Sequence, residues 1–276
     1  MSEPTAKIGV LDSGVGGLTI LREIQRLLPQ YPTLYFADQA HLPYGPRSPE
    51  QIRCFVTAIA EFLIAQGATT VVLACNAASA ASLLELRERH PEIAFVGMEP
   101  AVKPAAEATH SGVIGVLTTQ ATADGPLYAR VLRQYAADKR VLTLVAPELV
   151  QMVEQGTQDQ PASRQILARY AGALREAGAD QLVLACTHFP FLIESLRGII
   201  GPEVEIVDPS PAVARQVGRV VNRPAPSEIT VSRYYTSADA DKLRAMLKAL
   251  IAVDAEVGTV NWQERAGLLC GTLIMN

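Results

Sequence analysis

Ala65-Gln66-Gly67-Ala68-Thr69-Thr70-Val71-Val72-Leu73-Ala74-Cys75-Asn76 and Glu176-Ala177-Gly178-Ala179-Asp180-Gln181-Leu182-Val183-Leu184-Ala185-Cys186-Thr187 are two readings of one pattern. Each holds the end of a helix, a Gly, a short apolar run and then a Cys. Gly is favoured just past a helix end because it takes the left-handed conformation without a Cβ penalty. An apolar run without polar alternation marks a strand buried on both faces, as in parallel sheets. Each Cys then sits at the carboxyl end of its strand, the end that faces the ligand crevice in open α/β sheets. Two equivalent cysteines could face each other across one small molecule. That arrangement suits an acid and a base working on opposite faces of one carbon.

Outward from these strands, apolar runs and helical patterns alternate. Lys7–Leu11 reads as a strand and Gly17–Leu28 as a helix with Leu18, Leu21, Ile24 and Leu28 on one face. Leu34–Asp38 is a second strand. Ser48, Pro49 and Gln51 form a helix start, with Ser as cap and Gln placed to close a capping box. That helix runs to about Gln66 and precedes the strand Thr70–Cys75. A helix over about Ser79–Arg89 and a strand at Ala94–Met98 complete the first pass. The pattern then restarts, with Ile8-Gly9-Val10-Leu11 echoed by Ile114-Gly115-Val116-Leu117. A strand at Val141–Ala146 and helices over Glu148–Gln155 and Ser163–Ala177 lead to the second Cys strand. Beyond Val204–Val207 come a helix from Pro209, a looser stretch, a strand-like Ile229–Thr236, a helix over Ala238–Ile251 and a tail without clear pattern. The fold class is α/β, in two pseudo-symmetric doubly wound units with mostly parallel sheets.

Composition narrows the function classes. The 276 residues are 49% hydrophobic and 19% charged, enough for two well-buried cores. The net charge of −4 comes without a block of Lys or Arg, which argues against direct nucleic-acid binding. The apolar stretches fall short of a membrane span, and the polar start is not a signal peptide. The four cysteines lack a C-x-x-C pair, which argues against zinc fingers and a disulfide framework and points to reduced thiols in the cytoplasm. Cys54 lies within a helix and Cys270 in an apolar tail, and both read as structural.

Asp12-Ser13-Gly14-Val15-Gly16-Gly17 follows the first strand and opens a helix. It lacks the Gly-Lys-Ser/Thr of a P-loop, and Thr19 stands where a dinucleotide fingerprint needs its third Gly, although Asp38 keeps that reading open. The plain alternative is a tight turn with Asp12 or Ser13 capping the helix. The preferred reading has backbone N–H groups and Ser13 binding a carboxylate, with Asp12 beside a catalytic thiol. His41-Leu42-Pro43-Tyr44-Gly45-Pro46 is a rigid loop whose Tyr could close over a ligand. Each Cys precedes a helix start, which favours the thiolate. His188, two residues after Cys186, fits either a Cys-His nucleophile or a proton partner. Glu154 reads from pattern alone as an exposed helix residue, and His41, His90 and His110 as surface or structural.

Jointly, Asp12–Gly17, Leu42-Pro43-Tyr44-Gly45, Ala74-Cys75-Asn76, Thr119 with Thr122, Val153-Glu154-Gln155-Gly156 and Ala185-Cys186-Thr187-His188 resemble the glutamate racemases of the aspartate/glutamate racemase superfamily. The likeness covers about Lys7 to Asn222. It implies two α/β domains with the active site in the cleft between them: 1–98 plus 208–276 carrying Cys75, and 99–207 carrying Cys186. It implies cofactor-independent interconversion of L- and D-glutamate by two cysteines, supplying D-glutamate for peptidoglycan synthesis in a cytoplasmic homodimer. On that resemblance Cys75 works on the D isomer and Cys186 on the L isomer, assisted by Asp12, Glu154 and His188. Substrate would be held by Asp12, Ser13, Pro43, Tyr44, Gly45, Asn76, Ala77, Thr119, Thr122, Thr187 and His188. No metal, nucleic acid or membrane partner is implied. Two departures stand out: Ala77 where the family usually has Thr, and Gly125 where Ser is common. Three alternatives remain. One is an aspartate racemase or related enzyme, one a cysteine hydrolase using Cys186 and His188, and one a protein-binding role such as gyrase inhibition.

Overall fold

The central strand β1 (Ile8–Asp12) is buried along its whole length in the computed structural model, which describes residues 6–221, 223–226, 231–263 and 272–275. It is followed by α1 (Leu18–Leu27), β2 (Thr33–Ala37), α2 (Pro49–Ala65), β3 (Thr70–Leu73), α3 (Asn76–Arg89) and β4 (Ala94–Val96). Strands β2 and β3 are also buried throughout, as their unbroken apolar runs require. Leu18, Leu21 and Ile24 form the buried face of α1. The Ser48 hydroxyl accepts from the Gln51 N–H at 3.2 Å and the Gln51 side chain accepts from the Ser48 N–H, closing the expected capping box. Helix α3 begins three residues earlier than its periodicity suggests. Cys75 is itself the N-cap, and its carbonyl accepts the first helical bond from Ser79 at 2.9 Å. The alanines at 77 and 78 carry the helix across the gap.

The second unit, Glu99–Pro209, repeats the scheme. Its elements are α4 (Val102–Ala108), β5 (Val113–Thr118), α5 (Gln120–Ala123), α6 (Pro126–Tyr135), β6 (Arg140–Val145), α7 (Pro147–Glu154), α8 (Pro161–Ala177) and β7 (Gln181–Ala185). A 3-10 turn (Phe189–Leu192), α9 (Ile193–Ile200) and β8 (Glu205–Val207) complete it. The four strands run parallel in the order β6-β5-β7-β8. Ile114, Val116, Tyr128, Val131 and Val183 lie in its core.

The chain then returns to the first unit, Met1–Met98 with Ser210–Asn276. It adds α10 (Ser210–Val220), which packs on α1, then β9 (Arg233–Thr236), α11 (Ala240–Ile251), β10 (Val257–Gln263) and β11 (Thr272–Met275). The sheet order is β11-β10-β9-β2-β1-β3-β4, parallel except for β11 against β10. The strand expected over 229–236 is Arg233–Thr236, and Ile229 and Thr230 lie outside the described residues, as does Cys270. The unpatterned tail supplies β10. Cys54 lies inside α2. Cys75 and Cys186 are not in disulfides. No helix among the described residues is long and apolar enough to cross a membrane.

The echo between units has a packing cause. A Cβ on Gly9 would lie 3.2 Å from Leu63 and Ala68, and one on Gly115 would lie 2.0 Å from Leu174. In each unit the helix before the Cys strand presses onto the central strand where a side chain is missing. The Gly that ends that helix has positive φ in both cases, 95° at Gly67 and 73° at Gly178. Both sheets also share a switch point. From β1 the chain goes first to β2 on one side and then to β3 on the other, and from β5 to β6 and then to β7. Ligands bind at such points in open α/β sheets, because loops diverge there and leave a crevice.

Candidate active site

In the first unit the loops leaving β1, β2 and β3 bring Asp12, Tyr44 and Cys75 together. Asp12 is fully buried, and its Oδ2 accepts from the N–H of Gly17 at 2.8 Å and of Gly14 at 3.3 Å. The carboxylate therefore organises the glycine-rich turn. Gly17 is needed there, since a Cβ would stand 2.7 Å from that of Asp12 and 3.1 Å from that of Ala74. The Tyr35 hydroxyl donates to the Gly14 carbonyl at 2.6 Å and fixes the turn from below. Ser13 is buried beside it.

Cys75 ends the β3 segment with extended backbone (φ −143°, ψ 128°) and caps the 14-residue α3. Its thiol thus stands at the positive end of a helix, which favours the thiolate. Asn76 and Ala77 lie inside the first helical turn, both buried. The Asn76 amide is notable: neither Oδ1 nor Nδ2 has a hydrogen-bond partner. Buried amides are rarely left so, and one next to a candidate nucleophile is placed to receive a polar ligand. Tyr44 is 2% exposed and its hydroxyl donates to Asp38 Oδ2 at 2.8 Å. Burial raises its pKa well above the ordinary phenol value, and the charges of Asp38, Cys75 and Asp12 add to the shift. Pro43, after a cis peptide from Leu42, is exposed, and Gly45 is half-buried with open space where a Cβ would be.

In the second unit Glu154, at the end of α7, meets His188 and through it Cys186 past β7, while Thr119 and Thr122 pair with each other past β5. Thr119 caps α5 and donates to the Thr122 hydroxyl at 3.3 Å. Cys186 and Thr187 are buried just past β7. The chain then makes a 3-10 turn from Phe189 before entering α9, so the helix start after Cys186 is shorter and later than that after Cys75. The electrostatic support comes from side chains instead. His188 Nδ1 lies 3.7 Å from Cys186 Sγ, and its Nε2 lies 2.7 Å from Glu154 Oε1. Glu154 is 4% exposed, not on the surface as its pattern suggests, because α7 packs against the 3-10 turn. Burial disfavours the His188 cation. The hydrogen bonds and charges of Cys186 and Glu154 outweigh it and hold the imidazole pKa well above its ordinary value. The imidazole thus bridges a thiol and a carboxylate, within reach of both for proton exchange.

His41 belongs to a cluster rather than to bare surface. It stacks on Phe55 at 3.7 Å between ring centres and sits 2.9 Å from Asp38. Asp38, which the sequence offers only as a dinucleotide marker, receives bonds from Ser237 and Trp262, far along the chain, which no local pattern reveals. Among the described residues no group of three or more His, Cys, Asp or Glu is arranged to hold a metal ion.

A family model described as Asp/Glu/Hydantoin racemase matches residues 8–217. The chain is 46% identical over 260 residues to a glutamate racemase of Ectopseudomonas mendocina, covering 93% of this chain and 99% of that one. It is 48% identical over 253 residues to a glutamate racemase of Pseudomonas putida, with 91% and 96% covered. The crystal structure of Escherichia coli glutamate racemase, in complex with L-glutamate and the activator UDP-MurNAc-Ala, superposes with a TM-score of 0.82 at 31% identity, covering 90% of this chain and 96% of that one.

Proposed function

Because the chain belongs to the Asp/Glu/Hydantoin racemase family, we propose that it interconverts L- and D-glutamate by proton transfer at the Cys75 and Cys186 thiols. The observation that carries this reading is the equivalence of the two thiols. Each stands at the switch point of its own sheet, at the same step of the same βαβ order. The relatives named glutamate racemase, and the one bound to L-glutamate, support glutamate as the substrate.

Inversion needs a proton removed from one face of the α-carbon and another delivered to the opposite face. From L-glutamate, the Cys186 thiolate takes the α-proton and the C–H electron pair passes into the α-carboxylate. Cys75 gives its proton to the other face and is left as thiolate. The reverse direction starts from Cys75 and D-glutamate, so the two thiols hold one proton between them before and after turnover and two while the carbanion exists. The α-proton is far less acidic than a thiol of pKa about 8.5, and a gap of roughly ten pK units is about 14 kcal/mol. Electrostatics and positioning must shrink that gap. His188 and Glu154 supply part of it at Cys186, and the α3 N-terminus and Asp12 at Cys75. Asn76, with its unsatisfied amide, Ser13, the Pro43–Gly45 loop, Ala77 through its backbone, Thr119, Thr122 and Thr187 hold the ammonium and carboxylate groups. The product serves peptidoglycan synthesis in the cytoplasm, and the working form is a homodimer.

The test is circular dichroism and α-proton exchange with L-glutamate in D2O, with L-aspartate in parallel. Loss of optical activity with deuterium entering the α-carbon of glutamate is expected. Racemisation of aspartate alone would move the assignment to an aspartate racemase, with Ala77 the first residue to examine. The Cys186–His188–Glu154 chain also has the form of a cysteine hydrolase relay. That second reading requires Cys75 to be dispensable and an acyl-enzyme to be trappable on Cys186.

A further inference from the structure

The proton-transfer scheme leaves one buried carboxylate without a task. Asp38 is fully buried just past β2, and four side chains converge on it. The Tyr44 hydroxyl donates to Oδ2 at 2.8 Å, and His41 Nδ1 lies 2.9 Å from the same oxygen. The Ser237 hydroxyl donates to Oδ1 at 2.7 Å and the Trp262 indole N–H at 2.9 Å. These groups come from three separate places: the loop after β2, the segment after β9, and β10. The loop is tied a second time, since the Ala40 N–H donates to the Ser237 hydroxyl at 3.0 Å. Ring packing closes the cluster, with Phe55 stacked on His41 and Trp262 edge-on to both.

A buried carboxylate is costly unless its lone pairs are filled, and here they are filled only when all three segments are in place. A carboxylate placed so is an anchor that specifies geometry. It grips the phenol of Tyr44, next to Gly45, whose surroundings are open. The side chain is held inside while the adjoining backbone stays open to a ligand.

We propose that Asp38 is a positioning residue for the 43–45 loop. Trp262 of β10 completes the same anchor, so that the end of the chain sets the shape of a substrate-binding loop at the start of it. The proposal rests on the reading of that loop as a glutamate contact. Nothing in it requires Asp38 to touch substrate. Its loss should weaken binding far more than it slows the chemistry.

The chain has one Trp, so its fluorescence reports on the anchor directly. Asp38→Asn keeps the size of the side chain and turns two acceptor sites into donors. Its KM for glutamate should rise about tenfold, as expected for lost bonds to a charged group, with kcat within about threefold. Its Trp262 emission should move to the red and become more open to acrylamide, and saturating glutamate should partly reverse both. Trp262→Phe keeps the ring packing and should raise KM by a smaller factor. Tyr44→Phe removes only the hydroxyl, and its effect on KM should not add to that of Trp262→Phe, because both act through one carboxylate. These two variants carry the test if Asp38→Asn does not fold. A fall in kcat at unchanged KM, or strictly additive effects, overturns the proposal. A fluorescence change with KM unmoved shows the anchor to be real and the loop not to bind glutamate, which overturns the reading beneath it. Unchanged fluorescence removes the anchor itself.

Discussion

The two candidate thiols occupy equivalent places in two related units, yet their surroundings are built differently. Cys75 caps a 14-residue helix, with a buried carboxylate and a neutral phenol as neighbours. Cys186 precedes only a 3-10 turn and leans on an imidazole that leans in turn on a carboxylate. One thiol is served by the backbone dipoles of a helix start together with a carboxylate. The other is served by an imidazole–carboxylate pair whose proton can move. A duplicated fold therefore fixes where the acid and base stand without fixing how each is tuned. The sharpest way to break the comparison is to remove each thiol in turn. Cys75→Ala and Cys186→Ala should each lower racemisation by about 10³-fold or more, within the range for lost acid–base groups. The fold should survive, since both residues are small. Exchange in D2O should then separate the roles, with Cys186→Ala still exchanging the α-proton of D-glutamate and Cys75→Ala that of L-glutamate. Normal racemisation in either variant would end the two-thiol scheme.

The titrating half of the comparison gives the next largest effect. Glu154 is among the groups that raise the His188 pKa, so Glu154→Gln should let the imidazolium lose its proton at lower pH. The limb of the pH–rate profile set by His188 should move toward acid. The kcat/KM should fall by about 10- to 100-fold, equally in both directions because the equilibrium constant of a racemisation is one. An Asp12→Asn variant, acting on the other thiol, should leave that limb in place. Stability offers an independent check of sign. A folded-state pKa raised above the unfolded value contributes stability that is fully present below about pH 6.5 and is lost as pH rises through the folded value. The urea midpoints of the protein and of His188→Asn should therefore differ most near pH 5.5 and converge as pH rises. A gap that widens with pH would mean that His188 is held neutral.

How much of the molecule is legible in its sequence depends on the range of the interactions. The two Cys strands announce themselves because a strand buried on both faces has no polar alternation, and because Gly67 and Gly178 end the preceding helices at positive φ. The Ser48 capping box is equally local. Glu154 escapes the pattern because its burial depends on the 3-10 turn after Cys186, which α7 meets only in the folded unit. Asp38 is visible as a residue and not as an anchor, since Ser237 and Trp262 reach it from the far end of the chain. The tail is unreadable for a related reason. β10 lies between β9 and the antiparallel β11, and its register is set by those partners rather than by its own composition. Helix α3 starts three residues ahead of its apolar pattern because periodicity shows where a helix packs and not where its cap is.

The smallest expected effect is also the one that separates function from stability most cleanly. Asn76 stands in the first turn of α3 with both amide atoms unpaired and the side chain buried, whereas the buried carboxylates nearby, Asp12 and Asp38, are held by several donors. An unpaired buried polar group costs about 1–3 kcal/mol, and a protein keeps one where a ligand satisfies it. Asn76→Ala removes that cost and adds a better helix former, against the loss of some packing. The unfolding midpoint of the ligand-free protein should hold or rise slightly, while KM for glutamate should rise about tenfold through loss of the bonds the amide makes to substrate. Added glutamate should then raise the midpoint of the unaltered protein more than that of the variant, because binding to the folded state alone is what stabilises it. A variant that is clearly less stable without ligand, with KM unchanged, would mean that the amide is held by something other than substrate, and the strongest unsatisfied group beside Cys75 would no longer mark the binding site.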